Sequence, residues 1–222
     1  MPYLLDENRL VFPHPSLADE DGLLAIGGDL SIDRLMLAYE NGIFPWYNED
    51  SPILWYAPLE RFVLRPSEMK VSKSLKQVIR SNRFKVSYNS DFKAVIETCA
   101  DIPRKDQDGT WIVSDMQKAY LQLHEEGYAH SVEVWQDDNL VGGLYGVKIG
   151  HVFCGESMFS LVPNASKVAL FHLAKNFGLE LIDCQIPSDH LCKMGAEMIS
   201  QQEYLSILDE QEILPYDFEG TL

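Results

Sequence analysis

The chain lacks most of the short patterns that announce a particular chemistry. Its four cysteines (Cys99, Cys154, Cys184, Cys192) form no CxxC pair and show no zinc-type spacing with the six scattered histidines. There is no HExxH, so a metal site is not expected. In a reducing cytosol the four thiols are expected to stay reduced and mostly buried. No apolar run approaches the roughly 18 residues a membrane helix needs. The start, Met1-Pro2-Tyr3-Leu4-Leu5-Asp6-Glu7, has neither the basic flank nor the apolar stretch of a secretion signal. A cytosolic location with no membrane partner is the expectation. Gly155-Glu156-Ser157-Met158-Phe159 falls one glycine short of the GxSxG nucleophile elbow, and repeats and low-complexity stretches are missing too.

What the 222 residues do carry is ordinary globular composition, 46% hydrophobic and 23% charged, in a length that can bury a core without staples. The net charge of −16 argues against a nucleic-acid partner, but its distribution reverses that. Nine of the 18 basic residues lie between Arg61 and Lys93, against only Glu68 and Asp91, while seven acidic and no basic residues follow from Glu197 onward. So polarised a chain is able to present one positive face while staying acidic overall.

Residues 1–65 are rich in proline, glycine and aromatics and hold one clear helix. Ser31 is its expected N-cap, Ile32, Leu35, Met36 and Tyr39 its apolar stripe, and Gly42 its terminator. Gly27-Gly28-Asp29 before it is a turn. A second helix is predicted over 72–83, with Leu75, Val78 and Ile79 inward. Lys73, Lys76, Arg80 and Arg83, spaced 3, 4 and 3, share the opposite face. Plain solvation explains most charged faces, but one sign without interleaved Glu implies a bound polyanion. Beyond lie a helix over 114–126, strands over 129–135, 140–149 and 151–159 with a turn at Asp137-Asp138-Asn139, and a helix capped by Asn164. A strand over 179–186 and a helix from about Ser188 complete the pattern. The order predicts an α+β fold: a small N-terminal domain, 1–65, and a larger domain, 66–222, with a mostly antiparallel sheet.

Two polar clusters interrupt apolar strands. In Phe153-Cys154-Gly155-Glu156-Ser157-Met158-Phe159 a carboxylate is costly to bury unless it is paired or faces a cleft. Phe153 and Glu156 would face opposite sides of a regular strand, and a bulge at Gly155 would turn both to one site. The alternative is an edge strand with a solvated Glu. In Ile182-Asp183-Cys184-Gln185-Ile186 a strand places Asp183 and Gln185 on one face, either as a hydrogen-bonded pair in a cavity or on a wet surface.

Gly22-Leu23-Leu24-Ala25-Ile26-Gly27-Gly28-Asp29-Leu30, Gly42-Ile43-Phe44-Pro45-Trp46 and Pro52-Ile53-Leu54-Trp55 resemble the N-terminal signature of bacterial leucyl/phenylalanyl-tRNA–protein transferases. So do Gly109-Thr110-Trp111-Ile112, His130-Ser131-Val132-Glu133-Val134-Trp135, Cys154-Gly155-Glu156-Ser157-Met158-Phe159, Asn164-Ala165-Ser166-Lys167, Ile182-Asp183-Cys184-Gln185 and Asp189-His190. The resemblance runs in unbroken order from about Leu10 to Tyr204.

It implies a larger domain with the fold of GCN5-related N-acetyltransferases. It also implies cytoplasmic transfer of Leu or Phe, and less well Met, from aminoacyl-tRNA to proteins beginning with Arg or Lys, marking them for degradation, by a monomer without cofactor. By motif match, Trp46, Trp111, Phe153, Gly155, Glu156 and Ser188 would surround the terminal adenosine of the tRNA. Met158, Leu170, Leu173 and Phe177 would line the side-chain pocket, and Asp183 and Gln185, with Glu156, would sit at the reacting ester. In the family's accounts Asp183 polarises Gln185 to take the proton. An amide is a very weak base, so the reading favoured here is positional: Gln185 orients the amine and Asp183 fixes Gln185. Ser188 departs from an expected Asn, Tyr56 from a common Trp, and Ser200-Gln201-Gln202 lacks arginines often found there. An acyl-CoA acetyltransferase is the first alternative, but Ser160-Leu161-Val162-Pro163 has no glycine with which to cradle a pyrophosphate. A non-catalytic tRNA-binding module would leave Asp183, Gln185 and Glu156 without a task.

Overall fold

Two sheets organise the residues that the computed structural model describes, 1–102, 112–212 and 220–221. The small sheet pairs β1 (Tyr3–Leu5), β2 (Leu23–Gly27), β4 (Leu54–Tyr56) and β3 (Phe44–Pro45) in that order. Between β2 and β3 runs α1 (Ile32–Glu40), capped by the Ser31 hydroxyl on the Arg34 N–H as expected, with Gly42 in the left-handed region after its end. Buried Arg34 ties the turn before the helix to the N-terminal arm, through Asp29 and the carbonyls of Asp6, Glu7 and Arg9.

The large sheet has eight strands. Five of them are β5 (Glu60–Leu64), β6 (Lys85–Tyr88), β7 (Ala129–Gln136), β8 (Asn139–Ile149) and β9 (Val152–Ser160). The rest are β10 (Leu181–Asp183), β11 (Glu197–Ser200) and β12 (Gly220–Thr221), and the order is β11-β5-β10-β9-β8-β7-β6-β12. Every neighbouring pair is antiparallel except β9 and β10. The α+β class and the large, mostly antiparallel sheet expected from the sequence are therefore present. β5, on the N-terminal side of the expected division at residue 65, pairs inside the large sheet between β11 and β10.

Helices cover both faces. α3 (Phe92–Asp101), α4 (Ser114–Glu125), α7 (Gln201–Asp209) and the N-terminal unit pack on one, burying Leu35, Tyr39, Ile96, Tyr120 and Tyr204 with Val63, Tyr145 and Leu181. α2 (Lys73–Arg80), α5 (Ala165–Asn176) and α6 (Asp189–Met194) lie against the other, where Leu75, Leu170, Leu173 and Leu191 meet Phe62, Leu144, Phe153 and Ile182.

Three local expectations need correction. α2 ends at Arg80, because Asn82 turns left-handed, so Arg83 lies off the helix and reaches Gln136 instead. Asn164 precedes α5 in a left-handed conformation, and its side chain makes no cap hydrogen bond. No disulfide joins the four cysteines, but only Cys99 and Cys154 are buried; Cys184 is half-buried and Cys192 exposed.

Candidate active site

The site lies where the one parallel pair of the large sheet comes apart. β9 and β10 pair only from Leu181–Val152 to Asp183–Cys154. β9 then bulges: Gly146 faces Gly155 and Tyr145 faces Ser157, leaving Glu156 without a partner across the ladder. Glycine is required opposite, since a Cβ at Gly146 would collide with the Cys154 carbonyl oxygen and the Phe153 ring. Beyond Asp183 the chain leaves the ladder in a tight turn, with Gln185 at φ +56° and the Ile186 N–H on the Cys184 carbonyl. The gap so opened holds a cavity of about 270 Å³.

The bulge is present, but its effect differs from the expectation. Phe153 stays on the α5 side of the sheet, while Glu156 stays on the α1 and α4 side. What changes side is Met158, which joins Phe153 and packs toward α5. Both faces nonetheless line one cavity, because it passes through the gap between the strands. Met158, Leu170, Leu173, Ile182 and Leu191 supply an apolar wall, and Glu156, Gln185 and Tyr145 a polar one.

Glu156 is 6% exposed and accepts hydrogen bonds from Tyr39 (2.8 Å), Tyr120 (3.1 Å) and the Gln185 side-chain amide (3.0 Å). The two tyrosine hydroxyls also touch each other. Three oxygen–oxygen contacts thus share two phenolic protons, and a proton on the carboxyl would supply the third. Burial raises the Glu156 pKa, the two phenols oppose it, Asp183 adds to it, and the balance rests at about 7. Tyr39 and Tyr120 are pushed well above their ordinary pKa by burial and by Glu156, so they remain neutral donors.

A stability consequence follows. A carboxyl raised from 4.5 to about 7 keeps its proton in the folded state over a range where the unfolded chain has lost it. Its stabilising contribution is complete below about pH 4.5 and vanishes as pH rises through about 7, a change on the order of 3 kcal/mol. Urea midpoints across that window should therefore fall more steeply for the parent than for Glu156→Gln. Parallel curves would show that Glu156 titrates normally.

Asp183 and Gln185 do not sit side by side on a strand, as the alternation predicted. β10 ends at Asp183, which is fully buried. One of its oxygens pairs with the Arg61 guanidinium, and the other accepts the Gln185 backbone N–H at 3.0 Å. The Gln185 side chain turns to Glu156, so Asp183 holds the backbone of Gln185 and leaves the amide untouched. Arg61 belongs to no positive surface, being 3% exposed.

Trp46, Phe153, Gly155 and Glu156 line the cavity, with Trp46 at its mouth against Tyr56, ring centroids 5.7 Å apart. Ser188 does not line it, and its buried hydroxyl has no partner among the described residues. Trp111 falls outside the described residues. Met158, Leu170 and Leu173 form the expected apolar wall, but Phe177 does not join them. It follows the last turn of α5 and packs edge-on against Tyr88, His130 and Phe153 in the core. Lys73, Lys76 and Arg80 are exposed on one face of α2 and form no ion pair among the described residues.

Sequence reasoning missed Tyr39, Tyr120 and Arg61. The first was read only as part of an apolar stripe, although a buried tyrosine hydroxyl requires a partner. His190, which also lines the cavity, was noticed only as part of a motif.

Comparison with known proteins fixes the class. A family model described as leucyl/phenylalanyl-tRNA protein transferase matches residues 63–209, and one described as its N-terminal domain matches 28–59. A protein named leucyl/phenylalanyl-tRNA–protein transferase from Flavobacterium johnsoniae is 54% identical over 211 residues, 94% of this chain and 99% of its own. Its namesake from Syntrophobacter fumaroxidans is 53% identical over 213 residues, 95% of this chain and 91% of its own. Among solved structures, FemX is similar at 11% identity and TM-score 0.48, covering 85% of this chain and 75% of that one. A GCN5-related N-acetyltransferase from Kribbella flavida is similar at 14% and 0.39, covering 73% and 58%. The relatives place the protein among the aminoacyltransferases. The chain belongs to the leucyl/phenylalanyl-tRNA–protein transferase family.

Proposed function

We propose that the cavity takes the aminoacylated 3′ end of leucyl- or phenylalanyl-tRNA, and methionyl-tRNA less well, and transfers the amino acid to a protein beginning with Arg or Lys, marking it for degradation. The observation that carries this is the Glu156–Gln185 hydrogen bond facing an apolar wall of Met158, Leu170 and Leu173. The ester is already activated, so the protein has mainly to align an amine with it. An α-amine with a pKa near 8 is about a tenth neutral at pH 7 and attacks in that form. Glu156 accepts from the Gln185 NH₂ and thereby fixes which end of the amide faces the cavity: the carbonyl oxygen is left to orient the incoming amine. Glu156, poised near neutrality, is the acceptor toward which the amine's proton departs as the C–N bond forms; the ester C–O bond then breaks, and that proton returns to the ribose oxygen, which leaves as a hydroxyl. Exposed Asp21 on the cavity lining suits a cationic acceptor. Trp46 offers a face for the adenine, and the α2 cations a track for phosphates. A cytoplasmic monomer fits these substrates. Among the described residues no helix is long and apolar enough to cross a membrane.

The test offers labelled Leu-, Phe-, Met- and Ile-tRNA with peptides beginning in Arg or Ser, with and without ribonuclease. Ile carries a methyl at Cβ, next to the ester that must be held for attack, so it should be transferred about 10- to 200-fold less efficiently than Leu. Equal transfer of Ile and Leu would sink the pocket assignment, and equal use of Arg- and Ser-initiated peptides the acceptor assignment.

A further inference from the structure

We propose that Arg61 is a positioning residue for aminoacyl transfer: acting through Asp183, it holds Gln185 in the one conformation that keeps its side-chain amide on Glu156. This rests on the reading of Gln185 given above.

Arg61 is wholly enclosed, and what encloses it is specific. One guanidinium nitrogen donates to the Gly42 carbonyl at 2.5 Å, just after α1, and another to Asp183. The Phe44 and Tyr204 rings flank the cation, with centroids 5.1 and 4.3 Å from the guanidinium carbon. Burial opposes the charge, but the Asp183 carboxylate outweighs it and raises the Arg61 pKa above its ordinary value. Arg61 keeps its charge at any working pH. A planar fork meeting a carboxylate and a carbonyl between two rings is geometry that lysine cannot reproduce.

Stability alone is a poor reason for this arrangement, since a buried ion pair is often matched or bettered by apolar residues of similar volume. Its use lies at the far oxygen of Asp183, which holds the Gln185 N–H. At φ +56° a residue with a Cβ is in a disfavoured conformation and persists only where its surroundings impose it. Without that hold, residue 185 relaxes to negative φ and its side chain swings off Glu156. Asp183 borders the cavity, but both of its oxygens are engaged and the residue is fully buried, so it too works by position.

The experiment measures kcat and the KM for Leu-tRNA in the parent, Arg61→Lys, Gln185→Ala and the double variant. Arg61→Lys keeps the charge and should lower kcat by roughly ten- to a hundredfold, with KM within about threefold. In the Gln185→Ala background the same change should cost less than about threefold, because the residue it positions is gone. An equal loss in both backgrounds, or Arg61→Lys at the parent rate, overturns the proposal. Should Arg61→Lys fail to fold, Asp183→Asn replaces it in the same comparison: it removes the charge that Arg61 meets, and equal losses in both backgrounds again overturn the proposal. Parent-like kcat in Gln185→Ala alone is a distinct outcome, which removes the reading of the site and this inference with it.

Discussion

Replacing Gln185 by alanine is expected to lower the saturating transfer rate by on the order of 10²- to 10³-fold, while the KM for Leu-tRNA stays within a few fold. The asymmetry follows from where the side chain sits. It crosses from the turn after β10 to the bulge of β9, and it touches Glu156 at the side of a cavity whose other walls do the holding. Removing it leaves the apolar wall, Trp46 and the α2 cations intact, so donor binding survives. What is lost is the orientation of the attacking amine, and that contribution exists only on the way to the transition state. Single-turnover transfer from preformed Leu-tRNA separates this from product release. A variant that transfers at the parent rate removes Gln185 from the chemistry altogether.

The second large effect is expected on α2. Lys73, Lys76 and Arg80 project from one exposed face of an eight-residue helix. If each meets a phosphate, log affinity for tRNA should fall with log salt by about 0.7–0.9 for every contact. Changing all three to Gln should reduce the slope by about two to three and raise the KM for tRNA steeply at low salt. Aminoacyl-adenosine, which carries no tRNA body, should be used almost as well as by the parent. Arg83, off the helix and held at Gln136, should contribute less to the slope than any of the three. A salt slope that does not change moves the tRNA body to another face.

Most of the scaffold was legible because it is locally encoded. The Ser31 cap, the left-handed Asp137-Asp138 turn and the β7–β8 hairpin each depend on residues a few positions apart. The bulge was readable from a glycine beside a carboxylate in an apolar strand. Its consequence was not, since it depends on where β9 parts from β10, and that is set by pairing between distant segments. Phe177 was misplaced for a related reason. Its spacing from Leu170 and Leu173 puts it on their stripe only if the helix continues, and α5 stops at Asn176. Asp183 and Gln185 were grouped by strand alternation, but the strand ends between them and a left-handed turn gives them separate partners. The charge of Arg61 placed it with the surface cations, and only the fold reveals the carboxylate that draws it inward. The family resemblance named many of the residues that line the cavity, though also Phe177 and Ser188 outside it, and it did not say which of them hold one another.

Arg61 and Asp183 lie 122 positions apart, and Tyr39 meets Glu156 across 117. During synthesis the N-terminal sheet and α1 leave the ribosome long before β9 and β10 exist. Until then the aromatic and cationic groups meant to surround the two carboxylates have nothing to enclose. β5 waits likewise, since both of its neighbours, β10 and β11, are made more than a hundred residues later. Such distant pairings make closure of the sheet a late and slow event. A nascent chain that stalls or is cut before residue 156 therefore carries no partial version of the centre: it has the tyrosines and the arginine, but neither carboxylate for them to serve.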